Sequence, residues 1–429
     1  MYLPNTLRAL RHRNFRLFFF GQITSMVGTW MQTLAQAWLV YRLTQSSVLL
    51  GAIGFTSQIP VLLLGLWGGV VADRYQRRSI LVVTQTASMA LAFLLAALTL
   101  TDTVRIWEIF VLSALLGIVN AFDIPARQAF NIELVGKTDL MNAVALNVST
   151  ANASRIVGPA IAGILVAIIG EGWCFFANGV SFLAVIGGLL MMKVSPRDEP
   201  PSPGSSIEKI HEGYRFIRAH RALYSLLALV ATMGFTATPY LAMMPIFAGD
   251  ILHGGPQALG WLMGSNGIGA LAATVRLASR KNFKGLENWM IGGGITFGVL
   301  LAAFALSRSF AFSLAAMLLI GFGMMTAIAS ANTLMQSMAP DRLRGRIMSF
   351  HTMMFIGTTP VGSLFAGAAA GRFGAPYTVA VGGILCALAY ILFWMGLKSF
   401  DVSARKLQRS AAMTSEADLS MVRVERSTP

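Results

Sequence analysis

The sequence predicts an all-α membrane protein of twelve transmembrane helices in two six-helix halves, and three observations carry that reading. Of its 429 residues, 55% are hydrophobic and only 12% charged, a balance outside the range of soluble domains. Apolar stretches of about 20 residues, enough to cross a hydrocarbon core of about 30 Å, recur along the chain. Residues 195–206 read SPRDEPPSPGSS, a Pro- and Ser-rich stretch that cannot be a helix interior and belongs in water.

The six spans before this linker are read at about 15–40, 48–71, 79–101, 106–130, 140–168 and 173–192. The six after it fall at about 222–247, 256–279, 287–306, 310–333, 345–370 and 375–397. The start carries Arg8, Arg11, Arg13 and Arg16 and runs into a long apolar segment with no small-residue cleavage site, so the first helix is expected to remain as an anchor. The chain thus divides into an N-terminal half (1–194), a cytoplasmic linker (195–221), a C-terminal half (222–400) and a charged, Ser-rich tail (401–429) expected to be disordered.

The formal charge of +15 raises the question of a nucleic-acid partner, and the placement of the charge answers it. With the N-terminus inside, 28 of the 33 Lys and Arg fall on one side; Arg42, Arg105, Arg308 and Arg372 stand opposite, and Arg155 within a span. That is the positive-inside bias of cytoplasmic loops, so both termini are expected in the cytoplasm and no nucleic-acid partner is expected. Cys174 and Cys386 lie far apart in apolar stretches, with neither a disulfide framework nor a metal spacing. No metal and no cofactor are expected.

After the linker, Ser205 and Glu208 form a capping-box pattern, and Ile207, Ile210, Tyr214 and Ile217 share one face. This reads as an amphipathic helix along the cytoplasmic membrane surface, or else as an extension of the seventh span. The halves also repeat. At an offset of 204, Gly158, Ala162, Gly163, Gly170 and Gly179 fall on Gly362, Ala366, Gly367, Gly374 and Gly383; near 208, Gln58 falls on Asn266. A parallel repeat of six-helix halves is a transporter architecture, with the site between the halves near the midplane.

The loop after the second span reads Gly69-Val-Val-Ala-Asp73-Arg74-Tyr-Gln-Arg77-Arg78. It closely resembles the signature of the major facilitator superfamily, G-x-x-x-D-R-x-G-R-R/K, with Gln76 where that family has Gly. In physical terms Gly69 permits close helix approach, and Asp73 offers a carboxylate to the arginines. The matching second-half loop, Arg276 to Lys284, keeps the basic charge and lacks the Asp. The resemblance implies a major facilitator fold and a charge network that latches the cytoplasmic side in the outward-open state. Asp123, with Arg127 one turn on, is expected to join Asp73 and Arg77 in that latch; a role as proton carrier is the alternative.

In the fifth span Arg155, Gly158, Pro159 and Gly163 resemble the antiporter motif of the superfamily's exporters, and a plain kink in a packed helix would also account for them. Arg155 sits near mid-span, where a charge needs a partner: the substrate, a coupling group or a structural pair. The segments Asn120–Gln128, Leu140–Asn147 and Asp341–Ser349 resemble the enterobactin-exporter-like branch of siderophore and multidrug exporters. This implies proton-driven efflux from a bacterial inner membrane.

Gln22, Ser25, Thr29, Thr33 and Gln36 form a narrow polar stripe on the first span that lipid cannot cover. Thr232, Thr236 and Tyr240 share a face of the seventh span, and Thr326 and Ser330 one of the tenth. With Asn120, these residues are expected to line the substrate path; hydroxyls bonding their own backbone are the alternative. An uncharged, amide- and hydroxyl-lined cavity suits a bulky amphiphilic small-molecule substrate. No HExxH, no Gly-x-Ser-x-Gly and no pair of intramembrane Asp residues supports an enzyme. The function expected is therefore export by proton antiport, with a proton-coupled importer as runner-up; the partners expected are substrate, protons and lipid, acting on a monomer.

Overall fold

The computed structural model describes residues 5–192, 206–280, 285–397, 400 and 407. After a short 3-10 turn at Asn5–Arg11, the first half contains α1 (Arg13–Thr44), α2 (Ser47–Arg74), α3 (Arg77–Leu100), α4 (Ile106–Gly136), α5 (Thr138–Ile169) and α6 (Glu171–Met191). A short helix, α7 (Ser206–Ala219), precedes α8 (Arg221–Ile251), α9 (Gly255–Ala278), α10 (Leu286–Leu306), α11 (Phe310–Met338), α12 (Asp341–Phe373) and α13 (Ala375–Met395). The sequence-read spans match these twelve long helices closely. The 195–205 linker and, apart from residue 407, the 401–429 tail lie outside the described residues.

Among the described residues, eleven of the twelve long helices are long and apolar enough to cross a membrane. The exception is α1, whose 32 residues would extend about 48 Å. Its Gln, Ser and Thr residues lower its hydropathy, and the surrounding helices cover much of that polarity. Large apolar side chains point outward instead, with Leu66 and Trp67 of α2 at 67% and 68% exposure. Such a surface is stable only against lipid.

The ends of the helices reflect the repeat. Gly170 has φ +86° and breaks α5 from α6; Gly374 has φ +85° at the corresponding break between α12 and α13. A left-handed turn of this kind is open to glycine at no steric cost. Ser46 caps α2 by accepting from the Leu49 amide. Within each half the same pairs pack: α2 on α4 and α3 on α6 in the first, α9 on α11 and α10 on α13 in the second.

Two seams join the halves. At Gly163 of α5 an added Cβ would lie 2.9 Å from the Gly260 Cα of α9, and at Gly51 of α2 it would lie 2.9 Å from the Gly367 Cα of α12. Ser47 Oγ donates to the Gly367 carbonyl at 3.2 Å across the second seam. Both seams lie at the end of the bundle opposite the basic loops. Toward the basic end the α2 stripe continues through Leu62, still against Gly357, to Gly65 and Gly69, which have no atom within 4 Å of an added Cβ. The halves therefore close at one end and part at the other.

The helix α7 lies against α12. Glu212 pairs with Arg346, Gly213 faces Arg346 and Phe350, and Ile217 is buried. Tyr214, read from sequence as part of the apolar face, stays 47% exposed with its ring 6.4 Å from that of Phe350. Cys174 and Cys386 are free and buried.

Candidate functional site

At the basic end, the loop between α2 and α3 ties the first half together. Arg77 donates from Nη1 to the Ala129 carbonyl at 3.0 Å and to Glu133 Oε1 at 2.8 Å, both at the end of α4. Asp73 is only 4.0 Å from its guanidinium and its side chain is 61% exposed. Arg78 donates to the Leu189 and Leu190 carbonyls, at 2.7 and 2.9 Å, and so caps the end of α6. Arg74 is exposed. Gln76 sits at φ −61°, an ordinary backbone that needs no glycine, so its departure from the family pattern strains nothing.

Two expectations for this region are not met in this conformation, which is open at the basic end. The glycine that admits a neighbouring helix is Gly68, where an added Cβ would strike the Ala121 carbonyl of α4; Gly69 faces open space. Gly69 lies on the stripe along which α2 and α12 diverge, so the approach expected of it is not made in this conformation. Nor does Asp123 join Asp73 and Arg77. Buried at 1% exposure, it accepts from Thr84 Oγ1 and Gln85 Nε2 of α3, each at 2.8 Å, and pairs with Arg127. One cluster braces α3 to α4 inside the half, while the other clamps the α2–α3 loop to the end of α4. In the second half Arg276 and Arg280 lie over the Trp289 ring, 5.5 and 5.0 Å from its centre, where the first half uses carboxylates.

At mid-bundle, α5 runs helically through Pro159 instead of breaking there. Gly158 meets α1, where an added Cβ would lie 2.5 Å from the Trp30 Cβ, and this close approach sets the indole beneath Arg155. The Arg155 guanidinium carbon is 5.0 Å from the Trp30 ring centre. Gly267 of α9 backs onto the Arg155 carbonyl from the other half. Tyr240 follows a π-helical turn at Met233–Ala237 and Pro239, irregularities that free backbone groups in α8. It is 1% exposed and accepts from Asn266 Nδ2 at 3.0 Å, next to the Gly267 that backs onto Arg155.

The polar stripe of α1 divides into parts. Gln22 and Ser25 are buried, Thr29 and Thr33 are exposed, and Gln36 donates to Ser113 Oγ of α4 at 2.7 Å. Thr29, Thr33, Thr232, Thr236 and Thr326 each bond the carbonyl one turn back, so these hydroxyls satisfy themselves. Ser330 is fully buried and Asn120 half-buried. Sequence reasoning passed over Trp30 and the Gln32–Asn178 hydrogen bond of 2.7 Å, and read Asn266 only as the repeat counterpart of Gln58. It also passed over the tie between Tyr41 at the end of α1 and Asp250 at the end of α8. An Asn in a span and a carboxylate at a span end were the signals available.

Two six-helix halves, seamed by glycines at one end and parted at the other around a polar centre, define a transporter of the major facilitator type. Residues 5–426 match the family described as transmembrane secretion effector, and the chain belongs to that family. It is 27% identical over 382 residues to the staphyloferrin A transporter of Staphylococcus aureus, covering 88% of this chain and 95% of that protein. It is 24% identical to the multidrug efflux pump Tap of Mycolicibacterium fortuitum, covering 82% of this chain and 88% of that one. The enterobactin exporter EntS of Shigella flexneri is likewise 24% identical, over 83% of this chain and 85% of its own. Among solved structures, a mutant of the nucleoside transporter NupG superposes with a TM-score of 0.71 at 12% identity, covering 89% of this chain and 99% of that chain, a likeness of fold alone.

Proposed function

We propose that this protein exports small amphiphilic molecules, drug-like or siderophore-like, across the bacterial inner membrane by proton antiport and alternating access. The observation that carries this reading is the unequal closure of the bundle. The seams at Gly51–Gly367 and Gly163–Gly260 shut one end, and the α2 stripe at Gly65 and Gly69 is free at the other. If the basic loops face the cytoplasm, as the positive-inside bias indicates, the open end is the one that loads cargo from within. Relatives described as an efflux pump and an exporter support the same direction. One chain contains both halves and both seams, so a monomer suffices.

The test is transport into everted membrane vesicles energised by respiration, with a fluorescent dye, a macrolide and a catecholate siderophore as probes. Export predicts accumulation of at least one, abolished when the pH gradient is collapsed. Accumulation only in right-side-out vesicles would instead make the protein an importer.

A further inference from the structure

We propose that the transported molecule bears a carboxylate, which docks between Arg155 of α5 and Tyr240 of α8; this rests on the transport reading above and narrows its substrate class. Arg155 lies near the middle of its span, where a charge without a partner is costly and usually marks a ligand or ion path. Among the described residues no carboxylate and no carbonyl accepts a hydrogen bond from its guanidinium. Its guanidinium lies over the face of Trp30, at 5.0 Å, and its backbone leads to Tyr240 through α9, where Gly267 backs onto the Arg155 carbonyl and the adjacent Asn266 bonds the Tyr240 hydroxyl. An indole face offsets part of the desolvation of a cation and fills none of its five N–H donors.

Tyr240 supplies a second, independent observation. Asn266 Nδ2 donates to the Tyr240 hydroxyl at 3.0 Å and to the Met317 carbonyl at 3.3 Å. A carbonyl only accepts, so the nitrogen of the amide, not its oxygen, must face this pair. The Tyr240 oxygen is thereby used as an acceptor. Its own proton still has to be given away, and among the described residues no group receives it. A buried hydroxyl proton without an acceptor is as unfavourable as any other lost hydrogen bond.

Two donors are therefore linked through Asn266 and Gly267 of α9, one charged and contributed by the first half, one neutral and contributed by the second. The group that satisfies both is an oxyanion with two acceptor oxygens, and planar carboxylate matches a planar guanidinium. Half-buried Arg155 is the donor an entering anion meets first. Deeply buried Tyr240 is engaged as the halves move past one another, which ties occupancy of the site to the position of the halves. Trp30 offers a flat apolar wall to the rest of the molecule. An intracellular anion would also leave the cell down the membrane potential.

The test uses purified full-length protein in nanodiscs and two probes that differ at one group, fluorescein and its methyl ester, with binding read by fluorescence anisotropy. Wild type is expected to bind fluorescein about tenfold or more tightly than the ester, the scale of a charge-assisted hydrogen bond. Arg155→Gln should erase that preference, and Tyr240→Phe should weaken fluorescein about fivefold while leaving the ester unchanged. Arg155→Lys, which preserves charge and bulk, guards against loss of fold and should fall between wild type and Arg155→Gln. Equal affinities in wild type, failure of wild type to bind fluorescein, or a preference that survives Arg155→Gln would each overturn the proposal. The preference without energised uptake of fluorescein by everted vesicles would sink the export reading and leave this site standing; energised uptake of both dyes with no preference would do the reverse.

Discussion

Gly163 of α5 and Gly260 of α9 touch backbone to backbone: an added Cβ on Gly163 would lie 2.9 Å from the Gly260 Cα, and one on Gly260 would lie 3.0 Å from the Gly163 Cα. Gly51 and Gly367 repeat the relationship between α2 and α12, at 2.9 and 3.0 Å. Small residues at such crossings let membrane helices reach van der Waals contact. Because backbone meets backbone, no rotamer change can make room for a side chain.

Gly260→Val and Gly51→Val should each wedge open the end opposite the basic loops, and to a similar degree because the two seams are equivalent. A cysteine placed at Leu43, which is 42% exposed at that end, should then label faster from outside, and transport should fall severalfold. Gly69→Val, facing open space, should leave the unfolding temperature unchanged or slightly raised. Equal damage from all three would mean that the seams have no special part.

Asp123→Asn removes the charge that Arg127 pairs with in a buried position and disturbs the hydrogen bonds from Thr84 and Gln85. Breaking such a pair costs about 3 kcal/mol, so thermal unfolding of the purified protein should come at a clearly lower temperature. Asp73→Asn, at an exposed carboxylate 4.0 Å from Arg77, should change stability by about 0.5 kcal/mol or less. The opposite ranking would return Asp73 to the structural centre of this end.

Tyr41 and Asp250 join the last turns of α1 and α8 across the halves. Tyr41→Phe keeps the ring packed against Gly249 and removes only the hydroxyl. It should raise external labelling at Leu43 as the Gly→Val variants do, with a smaller loss of stability, about 1 kcal/mol for one hydrogen bond. Labelling as slow as in wild type would confine this contact to packing.

The membrane topology can be tested without structure. Reporters active only in the cytoplasm, fused at Ser202 and Ser410, should both be active. One silent fusion would mean that the number of crossings is off by an odd number.

The twelve helices were legible because a span must be apolar for about 20 residues and its breaks carry Gly, Pro or charge, as at Gly170 and Gly374. The exception, α1, could still be read from its position and polar stripe. Which residues meet across helices was not legible. Arg77 could be matched with Asp73, four residues away, but not with Glu133, 56 residues away. Asp123 finds Thr84 and Gln85 on another helix for the same reason. The repeat located the glycine contacts without saying what they contact: Gly163 and Gly367 were paired by offset, yet each touches a glycine of the other half. For the hydroxyls, the sequence left self-bonding and cavity lining open, and the geometry at Thr29, Thr33, Thr232, Thr236 and Thr326 gives the backbone bond.

Alternating opening of the two ends can be read from paired spin-label distances in nanodiscs. One pair sits at the basic end, on Gly69 and Gly345, neither of which has an atom within 4 Å of an added Cβ. The other sits at the opposite end, on Leu43 and His253, both exposed. Between pH 8 and pH 5, or on adding a transported dye, the account predicts that the basic-end distance shortens as the opposite-end distance lengthens, in the same molecules and by several ångströms. Two distances that stay fixed, or that lengthen together, would contradict it.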